Sequence, residues 1–176
     1  MGKFAPMEVV FDTGSDWLVI ESSECSNCAG DTYDLSSSSV VGNAISERRY
    51  GSAIFKGKEY QDTVCILLSA CVFDFEYFAV YEQTGLSEPI DGILGLARPN
   101  TPYRAGRDAT AETGPLLVDE LVKQGVIEEK TFSFYFTGQE GGASIDFGAP
   151  QASAMGRQSE LVYIPMLDDF FWSAFL

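Results

Sequence analysis

The apolar residues of this 176-residue chain fall into short runs, and that spacing limits the fold more than any other feature of the sequence. The longest apolar run, Cys65–Phe73, ends at Asp74 and is far too short to span a bilayer. The segment Phe132–Phe136 places a phenylalanine at every second position, a pattern typical of β-strands. Short runs of this kind between polar turns predict an all-β fold with one or two short helices.

The predicted strands are Met7–Phe11, Trp17–Ile20, Ile54–Ile66, Val72–Val80, Phe132–Phe136 and Ala143–Phe147. Gly57 lies near the middle of the third of these strands, which indicates a bulge or a twisted hairpin arm. One helix is predicted between Pro115, which suits a first helical position, and Gly125, which ends it. The apolar face of this helix consists of Leu117, Val118, Leu121 and Val122.

Acidic residues outnumber basic residues by 26 to 11, which gives a formal net charge of −15. Such a chain repels phosphate backbones, and no local cluster of Lys and Arg stands out, so the composition argues against nucleic-acid binding. The apolar fraction of 45% is sufficient to bury a core, which argues against a globally disordered chain.

Histidine is absent from the sequence. Neither a Ser-His-Asp triad nor a Cys-His nucleophile can therefore be built from this chain alone. A His-ligated catalytic zinc and an imidazole acid or base are excluded for the same reason. Any hydrolytic chemistry has to use carboxylates, hydroxyls, thiols or amines.

The cysteines form two locally spaced pairs, Cys25 with Cys28 and Cys65 with Cys71. Two local disulfides are the favoured interpretation, since an even number of cysteines fits an oxidising compartment. A four-cysteine zinc site remains an alternative, although the spacing of the second pair is wide for a zinc knuckle. A redox-active Cys-x-x-Cys is a third interpretation, although Ser26 and Asn27 lie in a polar loop rather than at the start of a helix.

The turn Asp12-Thr13-Gly14-Ser15 follows the strand Met7–Phe11 and carries the clearest chemical signal. A strand that ends in this way delivers a carboxylate to a tight turn, where Gly14 permits a close backbone approach and neighbouring hydroxyls can orient the carboxylate. The structural alternative is an Asx turn, in which Asp12 only bonds its own backbone. The four residues alone leave both interpretations open.

Further motifs follow this turn in order: Cys25 with Cys28, the Ser-rich stretch Tyr33–Ser39, Tyr50-Gly51-Ser52, Tyr60–Val64, Asp91–Leu96, the helix Leu116–Gly125 and Thr131–Phe136. Each motif is a weak or moderate signal by itself, but their order resembles the N-terminal lobe of the pepsin-like aspartic endopeptidases, family A1, over nearly the whole chain. The pair Cys65 and Cys71 is similar to variants seen in protist members.

The resemblance implies a pepsin-like acid protease lobe, a β-barrel or sandwich of the six-stranded type with a flap hairpin. It implies that the first catalytic loop consists of Asp12, Thr13, Gly14 and Ser15. It also implies that substrate is contacted by Tyr50, Gly51 and Ser52 of the flap and by Ile93. Cys25 and Cys28 match the position of the family's small disulfide loop. Neither a cofactor nor a metal ion is implied.

The family cleaves peptide bonds with two aspartates, and this sequence has no second Asp-Thr-Gly or Asp-Ser-Gly. Residues 1–176 are therefore expected to be an N-terminal lobe that is truncated at both ends and inactive alone. The active site would be completed by a C-terminal lobe or by a second copy of the chain. The alternatives are a non-catalytic binding or structural protein with this fold, and a thiol oxidoreductase based on Cys25 and Cys28.

Two positions depart from the family pattern. Val19 occupies the place where the family usually has a tryptophan bonded to the flap tyrosine, and the nearest tryptophan is Trp17, which is expected to fill the core. Ala53 stands where a second flap glycine is common. No signal peptide is recognisable before Met7, but the resemblance implies the secretory pathway, with a lysosomal, vacuolar or extracellular destination.

Overall fold

A computed structural model describes residues 5–86, 89–98, 114–138, 142–150, 162–167 and 171–174. The strands are β1 (Val9–Asp12), β2 (Leu18–Glu21), β3 (Ser39–Val40), β4 (Ser46–Tyr50), β5 (Ala53–Leu67), β6 (Ala70–Thr84), β7 (Gly92–Gly95), β8 (Phe132–Phe136) and β9 (Ala143–Phe147). The helices are a short 3-10 turn, Leu35–Ser37, and α1 (Leu117–Lys123). The described chain is thus mostly β with little helix, which confirms the predicted class.

Seven strands form one mixed sheet in the order β1-β7-β2-β6-β5-β3, with β4 paired to β5 outside this path. The β1–β7 and β2–β6 pairs are parallel, whereas β2 and β7 are antiparallel. The long strands β5 and β6 form a hairpin with a register shift between Lys56 and Gly57, where the sequence predicted a bulge. Strand β5 is long enough to pair with β4 near one end and with β3 further along.

Both cysteine pairs form disulfides in the structure. The Cα atoms of Cys25 and Cys28 are 5.7 Å apart, and those of Cys65 and Cys71 are 4.0 Å apart across the β5–β6 turn. All the cysteines of the chain are thereby paired with each other. In this state no thiolate is available for a zinc site or for thiol–disulfide exchange.

The buried residues form two clusters. The larger cluster lies between α1 and the sheet, and includes Leu117, Val118 and Leu121 of the helix. Helix α1 begins later than predicted, since its N-cap is Leu116 and Pro115 precedes that cap. The smaller cluster lies beneath the β4–β5 hairpin and contains Trp17, which is 3% exposed and fills the core as expected.

The Ser-rich tract after Tyr33 is attached to the sheet through Asp62 of β5. The Asp62 Oδ2 atom accepts hydrogen bonds from the hydroxyls of Tyr33, Ser37 and Ser38 at 2.7–3.0 Å. Burial of Asp62 acts to raise its pKa, but the hydrogen bonds from Ser38, the Thr63 amide, Ser37 and Tyr33 outweigh burial and lower it. This polar network gives the tract a structural function.

The small second sheet, β8–β9, differs from its expected packing. The alternation of Phe132, Phe134 and Phe136 predicts a strand with one buried face, and the strand is present. However, Phe134 is 38% exposed and Phe136 is 73% exposed. Phe132 is half-buried against the larger cluster and contacts Trp172, but coverage of this face decreases along the strand, so Phe134 and Phe136 form an exposed aromatic row.

Candidate active site

Asp12 is the last residue of β1 and lies opposite Gly95 of the parallel strand β7. Its carbonyl oxygen accepts a hydrogen bond of 2.8 Å from the Leu96 amide, which holds the end of β1 in place. The carboxylate is half-buried. The parallel pairing of β1 with β7 therefore carries this acid to the edge of the sheet and fixes its backbone there.

The turn after Asp12 orients the carboxylate. The Gly14 amide donates a hydrogen bond of 2.9 Å to Asp12 Oδ1, and the Ser15 amide makes a long one, 3.5 Å, to the Asp12 carbonyl oxygen. The first contact is the bond that defines an Asx turn. The structural alternative considered for this motif is thus present, and it is compatible with a chemical function because it fixes one carboxylate oxygen while the group stays accessible.

Gly95 supports the turn from behind. A Cβ atom at this position would lie 2.4 Å from the Asp16 carbonyl carbon and 2.6 Å from the Ser15 oxygen, so only glycine allows the two backbones to approach this closely. The Gly95 amide also donates a hydrogen bond of 3.0 Å to the Trp17 carbonyl oxygen. The sequence Asp91–Leu96 thereby forms the surface on which the Asp12 turn rests.

The β4–β5 hairpin forms the flap, with Gly51 and Ser52 at its tip. Gly51 has a φ of 57°, a left-handed conformation that glycine adopts without strain. The ring of Tyr50 packs edge-on against Phe55 at a centroid distance of 5.4 Å. The side chain of Tyr50 is therefore held on the inner face of the flap.

The Tyr50 hydroxyl faces the Asp12 turn. Burial is the main cause that raises its pKa, and the negative charges of Asp16 and Asp12 raise it further. Ser15 and Arg48 act in the opposite direction. The Ser15 Oγ atom is buried and close enough to act on Tyr50, but no contact within the described residues has the geometry of a hydrogen bond to it. The predicted flap residue Tyr50 and the predicted catalytic loop thus lie close together.

A small cavity of about 10 Å³ lies between the flap and the sheet, with room for a single water molecule. Its walls are apolar except for Glu21, and are formed by Val19, Phe55, Val80, Leu86, Ile90, Gly92 and Ile93. Ile93, predicted to contact substrate, is 8% exposed and belongs to the buried cluster beneath the flap. Val19, which replaces the family's usual tryptophan, is part of the cavity wall.

The sequence matches the model of a known protein family. The family model for eukaryotic aspartyl proteases matches residues 5–176. The chain belongs to the eukaryotic aspartyl protease family. The resemblance inferred from the order of the motifs is therefore confirmed.

Similar relatives support this assignment. Pregnancy-associated glycoprotein 1 of Bos taurus is 31% identical over 175 residues, which cover 94% of this chain and 43% of that protein. Vacuolar protease A of Neurospora crassa is 30% identical over 176 residues, which cover 94% of this chain and 41% of that protein. The crystal structure of an aspartic proteinase from Irpex lacteus matches with a TM-score of 0.66 at 25% identity, over 92% of this chain and 46% of that chain. The chain thus spans less than half the length of these relatives.

Within this aspartyl protease chain, Glu21 is a buried acid that the sequence did not single out. It is 2% exposed at the end of the fully buried strand β2. Its Oε2 atom accepts a hydrogen bond of 2.8 Å from the Gly30 amide, but Oε1 has no partner within the described residues. Burial is the main cause that raises its pKa, the Gly30 amide opposes that effect, and the charge of Asp91 adds to it.

Replacing Glu21 by Gln is expected to stabilise the protein at neutral pH and to change little at acid pH. A raised folded-state pKa means that the folded protein binds the proton more tightly, so stability falls as the pH rises from the ordinary pKa of the carboxyl to its raised value. Glutamine keeps an acceptor for the Gly30 amide and removes the buried charge, so the gain in stability should appear only as the pH rises towards the raised pKa. Thermal unfolding of both proteins across this pH range measures the effect. An equal shift at every pH would contradict the ionisation argument.

Arg48 is the second residue of interest that the sequence analysis missed. It lies on β4 between Ser46 and Tyr50, which both point inward, and its side chain is only 11% exposed. The sequence signal that could have identified it is an arginine at an inward-facing position of a strand whose residues alternate in burial. The partner that neutralises it, Glu59, lies on another strand and could not be identified from sequence spacing.

Proposed function

We propose that this chain is the N-terminal lobe of an aspartic endopeptidase and that Asp12 is one of its two catalytic carboxylates. The observation that carries the proposal is the position of Asp12, which is oriented by the Gly14 amide and faced by Tyr50 of the flap. A half-buried carboxylate that a backbone amide orients beneath the flap is suited to activating water.

The reaction requires a second carboxylate beside Asp12. Two such groups at short range cannot both ionise and so share one proton, which leaves one as a base and the other as an acid. The base takes a proton from water as the water oxygen attacks the peptide carbonyl carbon. The acid then protonates the leaving nitrogen, the C–N bond breaks, and a carboxylic acid and an amine result. The pair titrates as a unit, and activity is expected on the acid side of neutrality.

The remaining site residues support these steps. Gly14 supplies the amide that orients Asp12, and Thr13 and Ser15 supply hydroxyls beside it. On the flap, Tyr50 closes the cleft while the backbones of Gly51 and Ser52 lie at the exposed tip, where a bound peptide would pass. The substrate contact of Ile93 stays a prediction, because this residue is 8% exposed and packs in the buried cluster beneath the flap.

The second carboxylate would come from a C-terminal lobe, with a second copy of the chain as the alternative. Support comes from the exposed aromatic row near Asp12. Phe11, next to Asp12, is 40% exposed and its ring lies 6.3 Å from that of Phe134. Phe136 and Trp172 extend this surface. Exposed apolar patches of this kind mark sites of protein association.

A compartment of the secretory or vacuolar type is proposed on chemical grounds. Both disulfides need an oxidising environment to form and persist. The aspartyl protease relatives include a vacuolar protease A, from Neurospora crassa, and a cathepsin D, from Dictyostelium discoideum, the latter 27% identical over 177 residues. In the part of the chain that the structure describes, no helix has the length and apolar character needed to cross a membrane.

The test compares this chain alone with the parent polypeptide on an unfolded protein substrate over a range of acid pH. The parent is expected to cleave the substrate, and residues 1–176 alone are expected to cleave it at less than about one thousandth of that rate, because a single carboxylate cannot be base and acid together. The parent sequence should contain a second Asp-Thr-Gly or Asp-Ser-Gly. Binding of the substrate by the parent without cleavage would instead identify a non-catalytic relative.

A further inference from the structure

The inner face of the flap carries a largely buried cation. One nitrogen of the Arg48 guanidinium, Nη2, forms an ion pair of 2.6 Å with Glu59 Oε1, and the other, Nη1, donates to Ser46 Oγ at 3.1 Å. The side chains of Arg48 and Glu59 are 11% and 16% exposed. Charges are rarely buried to this extent unless they are paired, and burying such a pair seldom adds to stability. A contribution to the free energy of folding therefore does not explain why this ion pair lies beneath the flap.

The guanidinium lies on two aromatic rings. Its central carbon is 4.7 Å from the centroid of the Trp17 ring and 4.9 Å from that of Phe78. These rings are themselves in edge-to-face contact, 6.5 Å apart, and both residues are almost completely buried. A guanidinium within 6 Å of an aromatic face is attracted to it, and the attraction is strongest where water is excluded.

Trp17 connects this contact to the catalytic turn. It follows Asp16 directly after the turn, and its carbonyl oxygen accepts a hydrogen bond from Gly95 of β7. The next residue, Leu96, donates its backbone amide to the Asp12 carbonyl oxygen. Arg48 therefore links the first strand of the flap to the same backbone that positions the catalytic carboxylate.

We propose that Arg48 is a positioning residue, which clamps flap strand β4 onto Trp17 and so sets the position of Tyr50 over the Asp12 turn. Tyr50 is the next inward residue of β4, and the positive charge of Arg48 acts to lower the pKa of its hydroxyl. The contacts with Ser46 and Glu59 fix the orientation of the guanidinium plane, and the Trp17 and Phe78 rings fix how closely it approaches the core. That the clamp serves substrate binding rests on the proposed function, whereas its effect on the flap does not.

The test uses the parent polypeptide with three substitutions. Arg48→Met keeps a long apolar side chain but removes the positive charge and the planar guanidinium group. Arg48→Lys keeps a charge for Glu59 but cannot stack as a plane on the rings. Arg49→Met is the matched control, since Arg49 lies on the outer face of the same strand, is 65% exposed and pairs with Glu47.

Hydrogen exchange of the flap amides, Tyr50–Ala53, is the first measurement, with the amides of Leu121–Gln124 at the end of α1, which packs in the other buried cluster, as an internal reference. Arg48→Met is expected to speed flap exchange by about tenfold or more relative to that reference, Arg48→Lys to give an intermediate increase, and Arg49→Met to leave it unchanged. Unchanged flap exchange in a folded Arg48→Met protein would overturn the proposal. An equal increase in both regions would also overturn it, because that result denotes general destabilisation.

Peptide hydrolysis is the second measurement. Loosening the flap is expected to raise KM about tenfold for Arg48→Met while kcat changes by less than about threefold, since the clamp would contribute equally to binding in the ground and transition states. A fall in kcat at constant KM would contradict this function of the clamp. If neither the wild type nor the variants cleave peptides, the proposed function fails, while the exchange experiment still decides whether Arg48 positions the flap.

Discussion

Substitution of Asp12 by Asn is expected to lower the kcat of the parent peptidase by about 10⁴-fold. Asparagine has nearly the same shape, and its Oδ1 can still accept the hydrogen bond from the Gly14 amide, so the turn should keep its conformation. What is lost is the group that exchanges a proton with water and shares one with the second carboxylate. Steady-state kinetics at the optimal acid pH measures the loss, and circular dichroism verifies the fold.

Asp31→Asn is the matched control for this experiment. It removes the same charge from an exposed side chain, and the hydrogen bond that the Asp31 backbone amide donates to Asp91 is kept. Its kcat should stay within about twofold of the wild type, because surface substitutions of this kind have small effects. Full activity of the Asp12→Asn protein would show that Asp12 forms only an Asx turn, and the function would have to be sought elsewhere.

The sequence predicted the local conformation of the candidate site residues best. The turn Asp12–Ser15 and the flap tip Tyr50–Ser52 each consist of consecutive residues whose conformations follow from glycine and from short hydrogen bonds. The alternation in β5 and the position of Gly57 near the middle of the predicted strand likewise indicated a bulge or a twisted hairpin arm. Such features depend on neighbouring residues in the chain, so they can be recognised without knowledge of the tertiary structure.

Contacts between distant segments could not be predicted in this way. The ion pair of Arg48 with Glu59 and the partially satisfied carboxyl of Glu21 depend on which strands lie side by side. The cysteine spacing left three interpretations open, because the choice between disulfide, zinc and thiol depends on the distance between Cα atoms rather than on sequence separation. The exposure of Phe134 is a further case, since strand periodicity does not show whether a second layer covers the face.

Substitution of Gly95 by Ala is expected to have the largest effect on stability. The new Cβ would lie 2.4 Å from the Asp16 carbonyl carbon and 2.6 Å from the Ser15 oxygen, and both are backbone atoms that no side-chain rotation can move aside. Either β7 or the Asp12 turn has to shift. Overpacking of this severity costs about 3 kcal/mol, or about 6–12 °C in the melting temperature of a protein of this size.

The position of Gly95 means that activity should fall with stability. If the turn yields, Asp12 moves relative to Tyr50, and a displacement of about 1 Å is enough to lower kcat about 100-fold. Gly42→Ala is the matched control, because among the described residues its Cβ would meet only Glu59 Oε2, in ordinary contact at 3.4 Å, whereas the ion pair with Arg48 uses Oε1. Thermal unfolding and kcat should remain close to wild type in Gly42→Ala and fall together in Gly95→Ala. A Gly95→Ala protein that melts like the wild type would show that the turn and β7 are not packed as tightly as the structure indicates.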